Sequence, residues 1–246
     1  MKIVATIEAR MTSSRLPGKV LLPAAGRPML GHLVRRLRAA SSIDEVVVAT
    51  TVNASDDVLA EYAASEGVSV FRGSEDDVMG RVVGAADAAK ADVVVEITGD
   101  CPIIDPDLVE QTIRVFMRNS AAYVANSVVS SYPDGMDTQV FALDTLKRSA
   151  AMTADPLDRE HVSRHIIQHP ELFPALYLIA PPSLHWPGLG LTLDEPADYE
   201  LIRRIIEEFD ATSPLFSCAD VIRLLRSRPE WLEINGSVLR SDARTR

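Results

Sequence analysis

Residues 2–22 read KIVATIEARMTSSRLPGKVLL. Lys2–Glu8 is an apolar run suited to a buried strand. The following stretch, Ala9 to Lys19, gathers three cations (Arg10, Arg15, Lys19) and three hydroxyls (Thr12, Ser13, Ser14). Ligands of open parallel sheets bind beyond the carboxyl ends of the strands, which is where this loop falls. Two readings stand side by side. Cations, hydroxyls and loop amides can together hold phosphate oxygens; the same residues can be a solvated basic loop. It is not a Walker A loop, which needs G-x-x-x-x-G-K-[ST]: Ser13 replaces the first glycine and Val20 the metal-binding hydroxyl. A G-x-G-x-x-G dinucleotide loop is absent too.

Working outward, strands and helices alternate. Arg27–Ala40 carries Met29, Leu30, Leu33, Val34 and Leu37 on one helical face, with Pro28 near the first turn. Glu45–Thr51 is the next strand. Ser55–Glu66 is a helix with Ser55 as N-cap and Gly67 past its end. Val68–Phe71 is a strand, Asp76–Lys90 a helix and Asp92–Thr98 a buried strand. Asp105 caps a helix with Pro106 at its first position, running to about Asn119. This spacing predicts an α/β fold, a mostly parallel sheet with helices on both faces. The loop after Thr98 then shares one crevice with the cationic loop. The second half is less regular. Tyr132–Asp137 (YPDGMD) is a loop, and Thr138–Ala142, Ala175–Ala180 and Leu189–Leu193 read as strands. Leu157–Gln168 reads as one helix ended by Pro170, and Pro196–Phe209 and Cys218–Ser227 as amphipathic helices. The expected organisation is one domain over 1–235, with an inserted lobe at about 126–188 and a solvated tail at 236–246, its last residues Arg240 to Arg246.

Bulk properties narrow the function. The 246 residues are 47% hydrophobic, enough for a core without disulfides. Two distant cysteines, Cys101 and Cys218, exclude a disulfide framework and point to a reducing cytoplasm. No signal peptide and no apolar stretch of membrane-spanning length is found, so no membrane partner is expected. A net charge of −10 argues against a nucleic-acid partner, but not against a phosphorylated small molecule met by local cations and a metal.

Two acidic positions carry the remaining chemistry. Asp100, in Gly99-Asp100-Cys101-Pro102, follows a strand end. It can bind the Mg²⁺ that accompanies nucleotide phosphates, or serve as a turn residue bonding its own backbone. Asp194, in Asp194-Glu195-Pro196, can be a second ligand or part of a helix N-cap. With the cationic loop they form a nucleotidyl-transfer constellation.

These residues resemble a known signature. Ala9-Arg10 with Ser13-Ser14-Arg15-Leu16-Pro17-Gly18-Lys19 is similar to the cytidylyltransferases that activate 3-deoxy-manno-octulosonate and sialic acids, closest to the spore-coat polysaccharide biosynthesis subgroup. Phe71-Arg72-Gly73-Ser74-Glu75-Asp76-Asp77-Val78 with Arg81, Gly99-Asp100-Cys101-Pro102, Tyr132-Pro133-Asp134-Gly135-Met136-Asp137, Arg159-Glu160-His161-Val162 and Asp194-Glu195-Pro196 follow in the family's order, spanning residues 3 to about 205. The resemblance implies a three-layer, Rossmann-like nucleotide-diphospho-sugar transferase fold, a CTP partner, Mg²⁺ as cofactor and a homodimer formed through the inserted lobe. It implies that Arg10, Arg15 and Lys19 hold the triphosphate and act with Asp100 in catalysis. Asp100 and Asp194 would bind the metal. The backbone near Ala9, Ser14, and the Arg72–Asp77 segment (Arg72, Gly73, Ser74, Asp77) with Arg81 would frame the nucleoside. Thr98 and Cys101 stand where the octulosonate enzymes tend to have Gln and Glu, so the acceptor is expected to differ while the CTP chemistry stays.

The acceptor is expected to be a small anion, a carboxylated sugar or a phosphonate-like natural-product intermediate, met by Asp134, Asp137, Arg159 and His161. A glycosyltransferase of the same fold would release no pyrophosphate, and a non-catalytic nucleotide-binding module would show no turnover. Three features invite other readings. His161, His165 and His169 fall at i, i+4 and i+8 on one helical face, but the outer two would be about 12 Å apart, too far for one zinc ion. Asp105-Pro106-Asp107 mimics a D-x-D motif but is placed as a helix cap. Cys101 adjoins Asp100 with no base beside it, which argues against a catalytic thiol.

Overall fold

A computed structural model describes residues 1–239. Its first strand, β1 (Ile3–Glu8), is buried up to Ile7. After the cationic loop come a 3-10 turn (Lys19–Leu21), a small hairpin of β2 (Pro23–Ala24) and β3 (Arg27–Pro28), and α1 (Met29–Leu37). The alternation continues with β4 (Glu45–Thr51), a 3-10 turn (Ala54–Asp56), α2 (Asp57–Ser65), β5 (Ser69–Gly73), α3 (Val78–Ala88), β6 (Val93–Thr98) and α4 (Pro106–Arg118). The second half supplies β7 (Tyr123–Ala125), β8 (Gln139–Ala142), α5 (Leu143–Met152), α6 (Pro156–Glu160), α7 (Arg164–Gln168) and β9 (Ala175–Tyr177). It ends with α8 (Pro196–Phe209), α9 (Cys218–Ser227) and a 3-10 turn (Pro229–Glu233).

The main sheet has the order β5-β4-β1-β6-β8-β7-β9. Only β8 runs against its neighbours; the other pairs are parallel. Strand alternation divides the core. Ile3, Ala5 and Ile7 face Leu30, Leu33 and Leu37 of α1 and Val109 and Ile113 of α4. Val4 faces the opposite side, with Met79, Val82 and Ala85 of α3 and Leu146 of α5. The result is three layers, helix on sheet on helix, and each fully buried leucine of α1 contributes about 2 kcal/mol. A further apolar cluster joins α8 and α9 to the loops around Met136 and Leu191.

Several boundaries differ from expectation, each for a local reason. α1 starts at Met29, because Arg27–Pro28 pairs with Pro23–Ala24 and Pro28 is extended at ψ 152°. Ser55 does not cap α2; it lies in the 3-10 turn before it, where the Asp56 carboxylate turns inward onto Thr50 and Thr51. The single helix expected over Leu157–Gln168 is two, α6 and α7, because the chain leaves helical geometry at His161 (φ −106°, ψ 85°). His161, His165 and His169 therefore share no continuous helix face. Leu189–Leu193 is not a strand; its one ladder contact is a bridge between Gly190 and Asp134. Asp105 is a cap, as its spacing implied: Oδ1 accepts from the Asp107 amide (2.9 Å) and Oδ2 from the Cys218 amide (2.7 Å), tying the starts of α4 and α9 together. Of the expected tail, 240–246 lies outside the described residues.

Candidate active site

The site is built at the carboxyl ends of β1, β4, β5 and β6. The cationic loop leaves β1 and folds back on itself, the Gly18 amide donating to the Met11 carbonyl at 2.9 Å. Two carboxylates fasten it from neighbouring elements. Asp56, fully buried, accepts from the Met11 amide at 2.8 Å. Glu75 accepts from Thr12 (2.5 Å), Arg10 (3.1 Å) and Asn53 (2.5 Å). Burial works against both charges, but hydrogen bonds hold the two carboxyls below their usual range, led by the Thr51 hydroxyl for Asp56 and by the Thr12 hydroxyl for Glu75.

The distal part of the loop meets the two aspartates. Lys19 Nζ lies 3.0 Å from Asp194 Oδ1 and 3.5 Å from Asp100 Oδ2, and Arg15 Nη2 lies 3.0 Å from Asp194 Oδ1. Residues 19, 100 and 194 come from three separate loops, so the fold brings together what the sequence holds far apart. Asp100 also accepts from Thr98 Oγ1 at 2.5 Å. Gly99 is needed here: a Cβ would sit 2.7 Å from the Glu8 carbonyl, where the β6 loop crosses the end of β1.

The aspartate pair fits a hard divalent cation. Two carboxylates already converge on one cation, the Lys19 ammonium, and Mg²⁺ is held by one or two carboxylates completed with phosphate oxygens and water. Among the described residues no group of three or more His, Cys, Asp or Glu forms a self-sufficient metal cage.

The residues expected at the nucleoside are placed nearby but not alike. Ala9 is buried, whereas Ser14 and Ser74 are exposed. Arg72 braces the loop after β4, donating to the carbonyls of Thr51 (2.7 Å) and Asn53 (2.8 Å). Arg81 is 3% exposed and donates to the Ala49 (3.1 Å) and Ser74 (2.6 Å) carbonyls, so it shapes the wall beside Gly73 from behind. Asp77 caps α3 through the Gly80 amide and pairs with Arg159 at 2.5 Å. That pair joins the segment expected at the nucleoside to the one expected at the acceptor.

Of the other acceptor candidates, Asp134 lies against the Asp194 loop, accepting from Thr192 Oγ1 at 3.2 Å. Gly135 has φ 100°, and a Cβ there would lie 2.7 Å from the Leu191 carbonyl. Asp137 and Asp134 both act on the buried Cys101 thiol, which burial and then Asp100 push up well above its ordinary value. A neutral thiol is no nucleophile. His161 lies in the break between α6 and α7.

Sequence reasoning missed one polar feature beneath the site. Glu8 and Glu96 sit on adjacent strands, and burial pushes both carboxyls up, with their mutual repulsion adding to the effect on Glu8. Both carboxyls therefore favour the protonated form more than an ordinary carboxyl does. The Gln139 carboxamide donates to Glu96 and accepts from Tyr123 and from Ser163 (2.5 Å). Glu8 Oε1 is buried and has no hydrogen-bond partner among the described residues. A carboxyl inside an otherwise apolar strand run was the signal that marked them.

Comparison with known proteins places this geometry. The model of a family described as cytidylyltransferase matches residues 4–215. The spore coat polysaccharide biosynthesis protein SpsF of Bacillus subtilis is 33% identical over 93% of this chain and 95% of its own length. A 3-deoxy-manno-octulosonate cytidylyltransferase of Geobacter sulfurreducens is 37% identical over about half of each chain (49% and 48%). The solved structure of a cytidylyltransferase from Leptospira borgpetersenii superposes with a TM-score of 0.90, at 32% identity, over 98% of this chain and all of that one.

Proposed function

The chain belongs to the cytidylyltransferase family, and from that premise we propose that it transfers CMP from CTP to a small anionic acceptor in a Mg²⁺-dependent reaction that releases pyrophosphate. One observation carries the reading: Asp100 and Asp194 converge on a single cation at the mouth of a loop bearing Arg10, Arg15 and Lys19.

An acceptor oxygen attacks the α-phosphorus of CTP in line, the new P–O bond forming as the bond to the bridging β-phosphate oxygen breaks. Positioning and charge neutralisation dominate such reactions. Arg10, Arg15 and Lys19 hold the triphosphate, Lys19 and Arg15 exchanging their aspartate partners for phosphate oxygens. The same two cations stabilise charge on the departing pyrophosphate. Asp100 and Asp194 would hold Mg²⁺, which would supply Lewis-acid charge neutralisation at the α-phosphate. Ala9, Ser14 and the 72–77 segment frame the nucleoside, with Arg81 as the brace behind them.

Asp134, Asp137, Arg159 and His161 face the acceptor. The names of the relatives favour an acidic sugar, and Thr98 and Cys101 set the chain apart from the octulosonate enzymes, which keeps a phosphonate or another anionic intermediate in view. The active unit is a homodimer working in the cytoplasm. Among the described residues no helix is long and apolar enough to cross a membrane, and both cysteines are buried free thiols.

The test is a panel of nucleoside triphosphates against acidic-sugar and phosphonate acceptors, read as pyrophosphate. CTP is expected to exceed UTP, GTP and ATP; a preference for any of those overturns the base assignment. Asp100→Asn is expected to abolish turnover while the protein stays folded. Full activity in that variant overturns the metal assignment.

A further inference from the structure

Asp194 is carried on 189–195, a segment outside any helix or strand, so its carboxylate must be held by contacts from elsewhere. Leu191 donates to the Asp134 carbonyl (2.7 Å) and Leu193 to the Asp100 carbonyl (2.8 Å). The amides of Asp194 and Glu195 donate to Asp198 Oδ2 at 3.2 and 3.0 Å. Asp198 is fully buried, and its Oδ1 accepts from Asn235 Nδ2 at 2.8 Å. The same Asn235 nitrogen donates to the Gly190 carbonyl at 3.0 Å. One buried carboxamide thus clasps the loop on both sides of Asp194.

Asn235 is itself anchored. The 3-10 turn before it buries Trp231 in the apolar cluster of α8 and α9, with Arg204 and Arg228 stacked on the indole at 5.9 and 5.0 Å. It lies beyond residue 215, where the family match ends. Its removal would leave Asp198 one donor fewer and expose the Gly190 carbonyl to an apolar surround, both costly inside a protein.

We propose that Asn235 is a positioning residue for catalysis: through Asp198 and Gly190 it holds the 189–195 loop so that Asp194 meets Asp100 at one metal ion. This rests on the reading of Asp100 and Asp194 as the Mg²⁺ ligands.

The experiment is calorimetric titration of the full chain with CTP, once with Mg²⁺ and once with EDTA. Asn235→Ala is expected to weaken Mg²⁺-dependent CTP binding about tenfold, as loss of an outer hydrogen bond does at metal sites, and to leave metal-free CTP binding unchanged. Asn235→Asp sets a second carboxylate against Asp198 and is expected to be at least as severe. Leu146→Ala, in the separate apolar cluster of α3 and α5, is expected to lower the melting temperature and to keep the wild-type Mg²⁺ response. If Asn235→Ala does not fold, Asn235→Ser replaces it in the same titrations. Loss of the Mg²⁺ response in Asp194→Asn alongside a wild-type response in the Asn235 variants overturns the clasp alone. A wild-type response in Asp194→Asn overturns the metal reading, and the clasp with it. Equal weakening with and without Mg²⁺ shows a general structural role and also overturns the clasp.

Discussion

Lys19 bridges two carboxylates that would otherwise repel each other in a part-buried place. Its side chain is 12% exposed, and those of Asp100 and Asp194 are 22% and 8% exposed. Lys19→Met removes the ammonium between the two carboxylates, and the protein is expected to lose on the order of 2 kcal/mol in EDTA at pH 8. A divalent cation can then take the vacated position, so added Mg²⁺ should raise the melting temperature of Lys19→Met more than that of the wild type. Thermal melts across a Mg²⁺ series decide this; equal responses would detach the metal from these aspartates. Glu8 and Glu96 pose the opposite problem, too little charge compensation for two acids. Folding raises their affinity for a proton that unfolded carboxyls release above the ordinary value of 4.5. Their contribution is thus fully present below that value and is lost as pH rises through the raised folded range. Glu96→Gln can donate to Glu8 and accept from Gln139 without a proton. The variant should match the wild type at pH 5 and melt higher at pH 8, by about 2–4 °C for each kcal/mol regained. Stability curves that stay parallel across this range would show that neither carboxyl favours the protonated form on folding.

At the scale of elements, buried polar groups fix how helices meet the sheet. Arg36 is 2% exposed, on the last turn of α1. It donates to the carbonyls of Ile104 (2.6 Å), Pro214 (3.0 Å) and Phe216, and stacks over the Phe216 ring at 4.2 Å. Burial lowers its pKa to about 10, which leaves it charged at neutral pH. Arg36→Leu strands three carbonyls and is expected to cost on the order of 3 kcal/mol in urea unfolding, with Arg36→Lys intermediate because one ammonium cannot span the fork. A loss under about 1 kcal/mol would mean that water reaches those carbonyls. The same long-range ties separate what local sequence could and could not tell. Pro196–Phe209 and Cys218–Ser227 were readable to the residue, because amphipathic spacing and start signals agree. The break between α6 and α7 was not, since no Gly or Pro marks 161–163. It follows from tertiary demands, Ser163 reaching Gln139 and Arg164 reaching back to Asp158. Leu189, Leu191 and Leu193 alternate as a strand would, yet what they satisfy is packing against α8 and α9. In the site, the cationic loop and Asp100 announce themselves locally. Asp56, Glu75 and Asn235 act across the fold, and only their partners reveal them.

At the scale of the molecule, one strand direction decides where the chemistry gathers. β1, β4, β5 and β6 all end on the same side, so their loops bring Arg10, Asn53, Glu75 and Asp100 to one rim of a chain whose net charge is −10. Anion binding is then a local matter, with Arg10, Arg15 and Lys19 concentrated where the sheet opens. The opposite end of the strand order has a different consequence. β9 is the terminal strand beside β7, only three residues long, and Leu176 (40% exposed) and Ile179 (64% exposed) lie open along this edge. An edge strand offers unpaired backbone groups, and apolar side chains beside it favour coverage by another chain. In the proposed homodimer a second copy supplies that cover. Sedimentation should therefore give twice the 26.8 kDa chain mass for the wild type. Ile179→Lys, a change at an already exposed position, should shift the population to single chains without lowering the melting temperature of the chain itself. A wild type that sediments as one chain removes the dimer. A dimer that persists in Ile179→Lys moves the contact away from β9 to another part of the 126–188 segment.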